Sequence, residues 1–260
     1  MATPRVILLR APGTNCDEET AAAWAKAGAE VETWHINQAL EAPEALDRFQ
    51  VLTIPGGFSY GDDLGAGRIL ATRLGLGAQS AMRDALRRFH DCGGLTLGIC
   101  NGFQVLVRAG LLPGAESGVR ATLTHNDSGH FEARWARLLP TPGRTPFLAD
   151  ARPIELPVAH GEGKFLTANV NDLPALEANR QVVLRYVDED GRPTQSYPAN
   201  PNGSVGAVAG LCDPTGRVFG LMPHPERHAD PLHHPRWTRR GLDAEPDGLR
   251  LFRNAVAALR

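Results

Sequence analysis

Short hydrophobic runs separated by polar, alanine-rich or glycine-rich stretches fill the first half of the chain. Residues 5–9 (RVILL), 51–54 (VLTI) and 95–99 (LTLGI) are almost continuously apolar, as expected of strands buried on both faces of a parallel sheet. Residues 30–35 (EVETWH) alternate instead, the pattern of a half-covered strand. Between these runs lie segments of helical character at 17–27, 40–49 and 78–90. The first of them is alanine-rich and opens on acidic residues that suit the positive end of a helix dipole. Such alternation predicts an α/β domain, a parallel sheet with helices on both faces and with ligands at the carboxyl ends of its strands.

After Pro113 the texture changes. Residues 133–139, 154–158, 182–187 and 205–212 read as short strands, with turns at Asp190-Gly191 and Asn202-Gly203. An antiparallel extension packed beside the main sheet accounts for them. Residues 249–259 (LRLFRNAVAAL) form a last amphipathic helix. No repeat, low-complexity tract or linker interrupts the chain, so residues 1–260 are read as one domain.

The run at 95–99 leads into Cys100-Asn101-Gly102 and then into a second helical pattern through Leu112, closed by Gly110 and Pro113. Cys100 therefore falls on a strand-to-helix turn, the logic of a nucleophile elbow with sulfur in place of oxygen. Gly98 and Gly102 flank it because so tight a turn admits no bulky neighbours. A helix start offers unpaired N–H groups and positive dipole, which favour a thiolate. It also aims the Asn101 N–H at a developing oxyanion. A lone cysteine after a strand is otherwise a small buried hydrophobe.

Far downstream, residues 217–222 (RVFGLM) read as another apolar strand, entering Pro223-His224-Pro225-Glu226. On an extended chain His224 and Glu226 share one face, so the carboxylate can hold one imidazole nitrogen while the other faces a thiol. Cys100, His224 and Glu226 are then nucleophile, base and orienter for acyl transfer through a thioester. His228, His233 and His234 nearby do not form a zinc-binding spacing, and no metal is expected.

At these residues the chain resembles the class I, triad-type glutamine amidotransferases. More narrowly it is similar to the family of glutaminase subunits of phosphoribosylformylglycinamidine synthase. The resemblance spans nearly the whole chain: APGTNCDEE at 11–19, IPGGFSYGDDLGAG at 54–67, GICNGFQ at 98–104, THNDSGHFEARW at 124–135, HGEGKF at 160–165 and PHPERH at 223–228. It implies a flavodoxin-like, mixed but mostly parallel sheet, and cleavage of glutamine's side-chain amide by Cys100 to give ammonia and glutamate. It further implies that Gly57 or Phe58 supplies a second oxyanion N–H. Gly56 and Gln104 would help hold the substrate, and Asn126, Ser128 and Phe131 would grip its amino-acid end. HGEGKF would lie near the mouth of the site. The implied partners are a large synthetase subunit, which carries ATP and magnesium, and a small bridging subunit; the chain itself binds no cofactor.

Composition sets the remaining bounds. With 42% hydrophobic residues in 260 the chain can bury one substantial core, and a net charge of −2 gives no footprint for nucleic acid or an anionic membrane. No apolar run approaches a membrane span, and the first residues lead straight into a strand rather than a signal peptide. Cysteines at 16, 92, 100 and 212 have no disulfide or zinc spacing, which points to a reducing, cytoplasmic setting. Cys16, Cys92 and Cys212 read as packing residues, with a positional role open for Cys16 inside GTNCD. GDDLGAG at 61–67 lacks the Gly-Lys-Ser/Thr ending of a phosphate loop, and its aspartates repel phosphate. It reads instead as a connector able to move against a partner. Residues 228–248 are a solvated loop or a docking surface. Two other readings stay open: a cysteine hydrolase of similar fold, which the His-Pro-Glu and Gln104 disfavour, and a binding subunit with a decayed triad, which the intact triad disfavours.

Overall fold

A computed structural model describes residues 2–75, 80–242 and 244–260 of the chain. The first half runs β1 (Arg5–Arg10), α1 (Asp17–Ala27), β2 (Glu30–His35), α2 (Ile36–Glu41), β3 (Val51–Ile54), α3 (Arg68–Arg73), α4 (Ala81–Asp91), β4 (Leu95–Ile99) and α5 (Asn101–Arg108). The second half adds β5 (Ala121–Thr124), β6 (Glu132–Pro140), β7 (Ile154–His160), β8 (Lys164–Thr167), α6 (Asp172–Ala178) and β9 (Val182–Tyr186). It closes with β10 (Val208–Cys212), β11 (Val218–Leu221), α7 (Trp237–Arg240) and α8 (Asp247–Ala258).

One nine-stranded sheet has the order β2-β1-β3-β4-β11-β10-β9-β6-β7. The strands from β2 to β11 are parallel, and the rest pair antiparallel. The antiparallel extension is thus a continuation of the main sheet, not a layer beside it. Only β5 and β8 stand apart, as a two-stranded antiparallel sheet. The chain moves from β1 to β2 in one direction and from β2 to β3 and onward in the other. Right-handed crossovers then put α1 on one face and the helices between β2 and β4 on the opposite face, while α8 returns to pack on α1. The reversal falls between β1 and β3, so a crevice is expected at the carboxyl ends of these strands. β4 delivers Cys100 beside it.

Central strands are apolar because both faces are covered: Val6, Ile7, Leu8 and Leu9 are all buried, as are Leu95, Leu97 and Ile99. Trp24 shows how α1 is clamped. Its indole N–H donates to Thr53 Oγ1 on β3 at 3.0 Å, and its ring meets Phe252 of α8 edge-on at 4.9 Å. A buried indole with a satisfied N–H contributes its full apolar area without a desolvation penalty. Cys212 is buried and its thiol is pushed up to about 12, mainly by that burial, so it is inert packing. Cys92 is exposed at the end of α4, contrary to a packing role.

Some expected elements shift. The 40–49 helix is instead α2, capped by a reciprocal His35–Gln38 box, followed by a 3-10 segment at Pro43–Arg48. Pro43 forces the break, since the residue before a proline is driven out of the helical region and Ala42 sits at φ −136°. The 205–212 strand begins only at Val208, after a 3-10 turn. Of the 78–90 helix, Ala78 and Gln79 lie outside the described residues, Ser80 is the N-cap, and α4 begins at Ala81.

The segment from 228 onward is partly pinned. Glu155 on β7 accepts from His234 Nε2 at 2.9 Å and pairs with Arg240. Burial alone would raise this carboxyl, but His234 and Arg240 hold it below the usual range. Trp135, His228 and His234 form a three-ring cluster, with Trp135 4.9 and 4.6 Å from the two imidazoles and these 5.7 Å from each other. Asp243 lies outside the described residues, whereas Leu242 is exposed. Replacing Glu155 with alanine is expected to cost about 1–2 kcal/mol, after discounting the solvent-screened arginines. Proteolytic cleavage should then speed up within 230–242, read by mass spectrometry of the fragments; an unchanged cleavage rate would mean that Glu155 does not hold the segment.

Candidate active site

The strand β4 ends at Ile99, and Cys100 is the residue before the first turn of α5, with φ 51° and ψ −104°. A side chain in that region of backbone space is strained, and such strain persists only where neighbours fix it. Here the Cys100 N–H donates to the Leu221 carbonyl at 2.8 Å, tying the elbow to the end of β11. A Cβ on Gly102 would sit 1.9 Å from the Ile54 carbonyl oxygen, and one on Gly98 would sit 2.5 Å from Leu106 Cδ1. Both flanking glycines are therefore required by close approach, while the positive φ falls on the cysteine itself. The first bond of α5 runs from Gln104 N to Cys100 O at 3.1 Å, so the N–H groups of Asn101 to Phe103 precede the helical ladder.

From β11 the chain runs through Pro223 to His224, whose N–H donates to Pro157 O on β7 at 2.8 Å. His224 and Glu226 are both about 1% exposed, and Nδ1–H of the ring donates to Glu226 Oε1 at 2.6 Å. The pair does not come together on an extended chain. Pro225 opens a 3-10 turn, Pro225–His228, that carries Glu226 back to the ring. Proline is pre-organised for a first helical position, so its role here is to start the turn. Nε2 of His224 has no other hydrogen-bond partner among the described residues. Burial opposes a charged imidazole, yet the Glu226 carboxylate and the Cys100 and Cys16 thiols beside the ring outweigh it. His224 is raised well above the ordinary histidine range.

Cys16 is brought in from the β1–α1 loop. One donor atom each from Cys16, His224 and Glu226 lie within 4.8 Å of one another. Burial pushes the Cys16 thiol up, and Arg227 donates to its sulfur at 3.1 Å, setting a positive charge against any cation there. A Cβ on Gly56 would strike His224 Cε1 at 2.9 Å and Cys16 Sγ at 3.1 Å. Gly56 thus gives the imidazole and Cys16 the room they occupy.

Of the amides expected at an oxyanion, that of Phe58 is already donated, to Gly13 O at 2.9 Å. Thr14 and Gly57 form the accompanying bridge, which docks the glycine loop onto GTNCD. Gly57 and Asn101 remain as backbone donors at this end of the sheet. Phe58 instead presents its ring, exposed and 6.4 Å from the exposed ring of Phe131.

The residues expected to touch substrate divide differently from the expectation. Gln104 donates Nε2 to Glu162 O at 2.5 Å and accepts at Oε1 from Asn101 at 3.0 Å. Asn126 donates to the carbonyls of His130 and His160 and accepts from Gly163 N at 3.0 Å. The Asn126 amide is thereby saturated, with His160 Nδ1–H as its second donor, whereas Gln104 keeps one N–H beyond the bond that joins it to the 160–165 loop. Ser128 bonds locally to His130. Phe131 lies on the open side, 53% exposed.

Two residues at the site are read from the sequence only as parts of the HGEGKF and GDDLGAG motifs, with no site role of their own. His160 is buried within electrostatic reach of His224. Burial, and then the charge on His224, bring it down to about 3. It is a neutral ring whose Nδ1–H donates to Asn126 Oδ1 at 3.1 Å. Asp62, the other, is bonded to Asn101.

Fold and site together define a class: an α/β protein with a strained cysteine elbow beside a buried His–Glu pair, the arrangement of triad glutamine amidotransferases. A family model for the CobB/CobQ-like glutamine amidotransferase domain matches residues 3–257. The chain is 48% identical over 258 residues to the phosphoribosylformylglycinamidine synthase subunit PurQ of Dehalococcoides mccartyi, with 98% of each chain covered. It is 38% identical over 267 residues to that of Methanococcus maripaludis, covering 97% of this chain and 96% of the relative. A solved structure of PurLQS from Thermotoga maritima aligns over 100% of both chains with a TM-score of 0.73 and 30% identity. The chain belongs to the PurQ family of glutamine amidotransferases.

Proposed function

We propose that this chain is the glutaminase subunit of a phosphoribosylformylglycinamidine synthase, with Cys100, His224 and Glu226 as its catalytic triad. The observation that carries this reading is the buried 2.6 Å His224–Glu226 bond, held beside a cysteine elbow by backbone bonds to β7 and β11. Cys100 passes its proton to His224 Nε2 as its sulfur attacks the side-chain carbonyl carbon of glutamine, and the resulting oxyanion is met by the N–H groups of Gly57 and Asn101. His224 gives a proton to the leaving nitrogen, so ammonia departs and a glutamyl thioester remains. His224 then takes a proton from water as it attacks the thioester. The His224 proton then returns to sulfur as glutamate leaves, and the thiol is restored.

Ammonia in water at neutral pH is mostly ammonium, which is no nucleophile. Productive use therefore requires delivery to a second active site that excludes solvent. The partner is a PurL-type synthetase together with a small bridging subunit, as the PurLQS assembly of the Thermotoga relative suggests. That partner carries ATP, magnesium and formylglycinamide ribonucleotide. The free thiols of this chain at Cys16, Cys92, Cys100 and Cys212 support a cytoplasmic setting. Among the described residues no helix is long and apolar enough to cross a membrane.

The test is glutamate release from glutamine by the purified chain, alone and with a PurL-type synthetase, ATP and formylglycinamide ribonucleotide. Strong stimulation, with formation of the amidine product, is expected. Equal glutamate release with and without the synthetase would identify an independent hydrolase instead.

A further inference from the structure

The loop at 57–67 carries the Gly57 N–H, yet it is built from conformations that cost free energy. Tyr60 and Asp62 lie at φ 55° and 53°, where only glycine rests comfortably, as Gly61, Gly65 and Gly67 do in the same loop. Something must hold it, and the holding contacts converge on the first turn of α5. The Asn101 side chain accepts from Ser59 N–H at 3.2 Å, which fixes its amide orientation, and donates to Asp62 Oδ1 at 3.1 Å. The same Asp62 oxygen accepts from Gly67 N–H at 3.1 Å, closing the loop on itself. Burial raises the Asp62 carboxyl despite these two bonds, so the group is held in place at some cost rather than by solvent preference. The far end of the loop is tied separately: Ala66 N–H donates to Glu162 Oε2 at 3.4 Å, and Arg108 Nε donates to Ala66 O at 2.7 Å.

We propose that Asp62 and the side chain of Asn101 are a positioning pair, which fixes the glycine loop against the elbow helix and thereby sets the Gly57 N–H relative to the Cys100 sulfur. The pair touches no reacting atom. Its effect falls on the oxyanion-forming step alone, because Asn101 sits in the residue after the nucleophile and Asp62 in the loop that carries the opposite donor. This inference rests on the glutaminase reading above.

The test compares Asp62→Ala and Asp62→Asn in the assembled enzyme with glutamine as nitrogen donor. Asparagine keeps an oxygen that accepts from Asn101 and Gly67; alanine does not. Asp62→Ala is expected to lower kcat for glutamate release by 10- to 100-fold with KM changed less than about 3-fold, the range set by losing or misplacing one oxyanion donor. Asp62→Asn should stay within about 3-fold of wild type. Iodoacetamide alkylation of Cys100 makes no oxyanion, so its rate should be the same in all three proteins, while the melting temperature of Asp62→Ala should fall by no more than a few degrees for its two lost hydrogen bonds. An unchanged kcat in Asp62→Ala would overturn the proposal. Parallel loss of kcat, alkylation rate and melting temperature would overturn it too, in favour of a merely structural contact. If wild type itself released no glutamate while its partner was bound, the glutaminase reading would fail instead.

Discussion

Cys100→Ala is expected to reduce glutamate release from glutamine by roughly 10⁴- to 10⁶-fold, the loss typical when the nucleophile of a triad is removed. The assembled enzyme should nevertheless keep its activity with added ammonium salt to within a few-fold, because the synthetase site lies on another chain. The two numbers separate chemistry from assembly: loss of both, with the complex intact by size-exclusion chromatography, would contradict the division of labour. The elbow adds a second expectation. Cys100 sits at φ 51° on a residue with a Cβ, and alanine keeps that Cβ. Glycine removes it, so Cys100→Gly should be as inactive as alanine but more stable by about 1 kcal/mol. A melting temperature for glycine at or below that of alanine would show that the elbow is unstrained.

Much of the parallel half was legible because its signals are local. The apolar runs that became β1, β3 and β4 and the alternating run that became β2 needed no knowledge of partners, and the glycines around Cys100 marked the elbow. The carboxyl-end rule for such sheets then brought Gly57 and Cys100 together. Where partners far apart in sequence decide the structure, the sequence is silent. Asn126 and Gln104 are polar residues in matching motifs, which suggested substrate contacts. Nothing local reveals that His130, His160 and Gly163 saturate the Asn126 amide, or that Glu162 takes one N–H of Gln104. Likewise β5 and β8 are four-residue strands that, among the described residues, pair only with each other, Ala121 with Thr167 through Thr124 with Lys164. The His–Glu pairing was right in outcome and wrong in means, since an alternating extended chain and a proline-started turn both bring residues i and i+2 within reach.

Glu226→Gln tests the other half of the triad. The glutamine is nearly the same size, so the backbone bonds that place His224 should survive, and the melting temperature near pH 8 should change little. What changes is the ring. Glu226 accepts from Nδ1–H, which leaves the Nε2 lone pair for the thiol proton; the glutamine amide can instead donate to Nδ1 and select the other tautomer. A 10²- to 10⁴-fold fall in kcat follows from comparable replacements of a triad carboxylate. The charge balance shifts as well. In wild type the carboxylate and thiols overcome burial and raise His224; without the carboxylate, burial dominates and the ring should titrate lower, seen by NMR of labelled histidine. The sign of the stability effect follows. A histidine raised in the folded state adds stability that is fully present below its unfolded value, roughly 6.5, and is lost as pH rises through the folded value. Glu226→Gln should therefore destabilise the protein more at pH 6 than at pH 9. A mutant penalty that grows with pH would mean that His224 is neutral in the resting enzyme and that Glu226 acts only by fixing the tautomer.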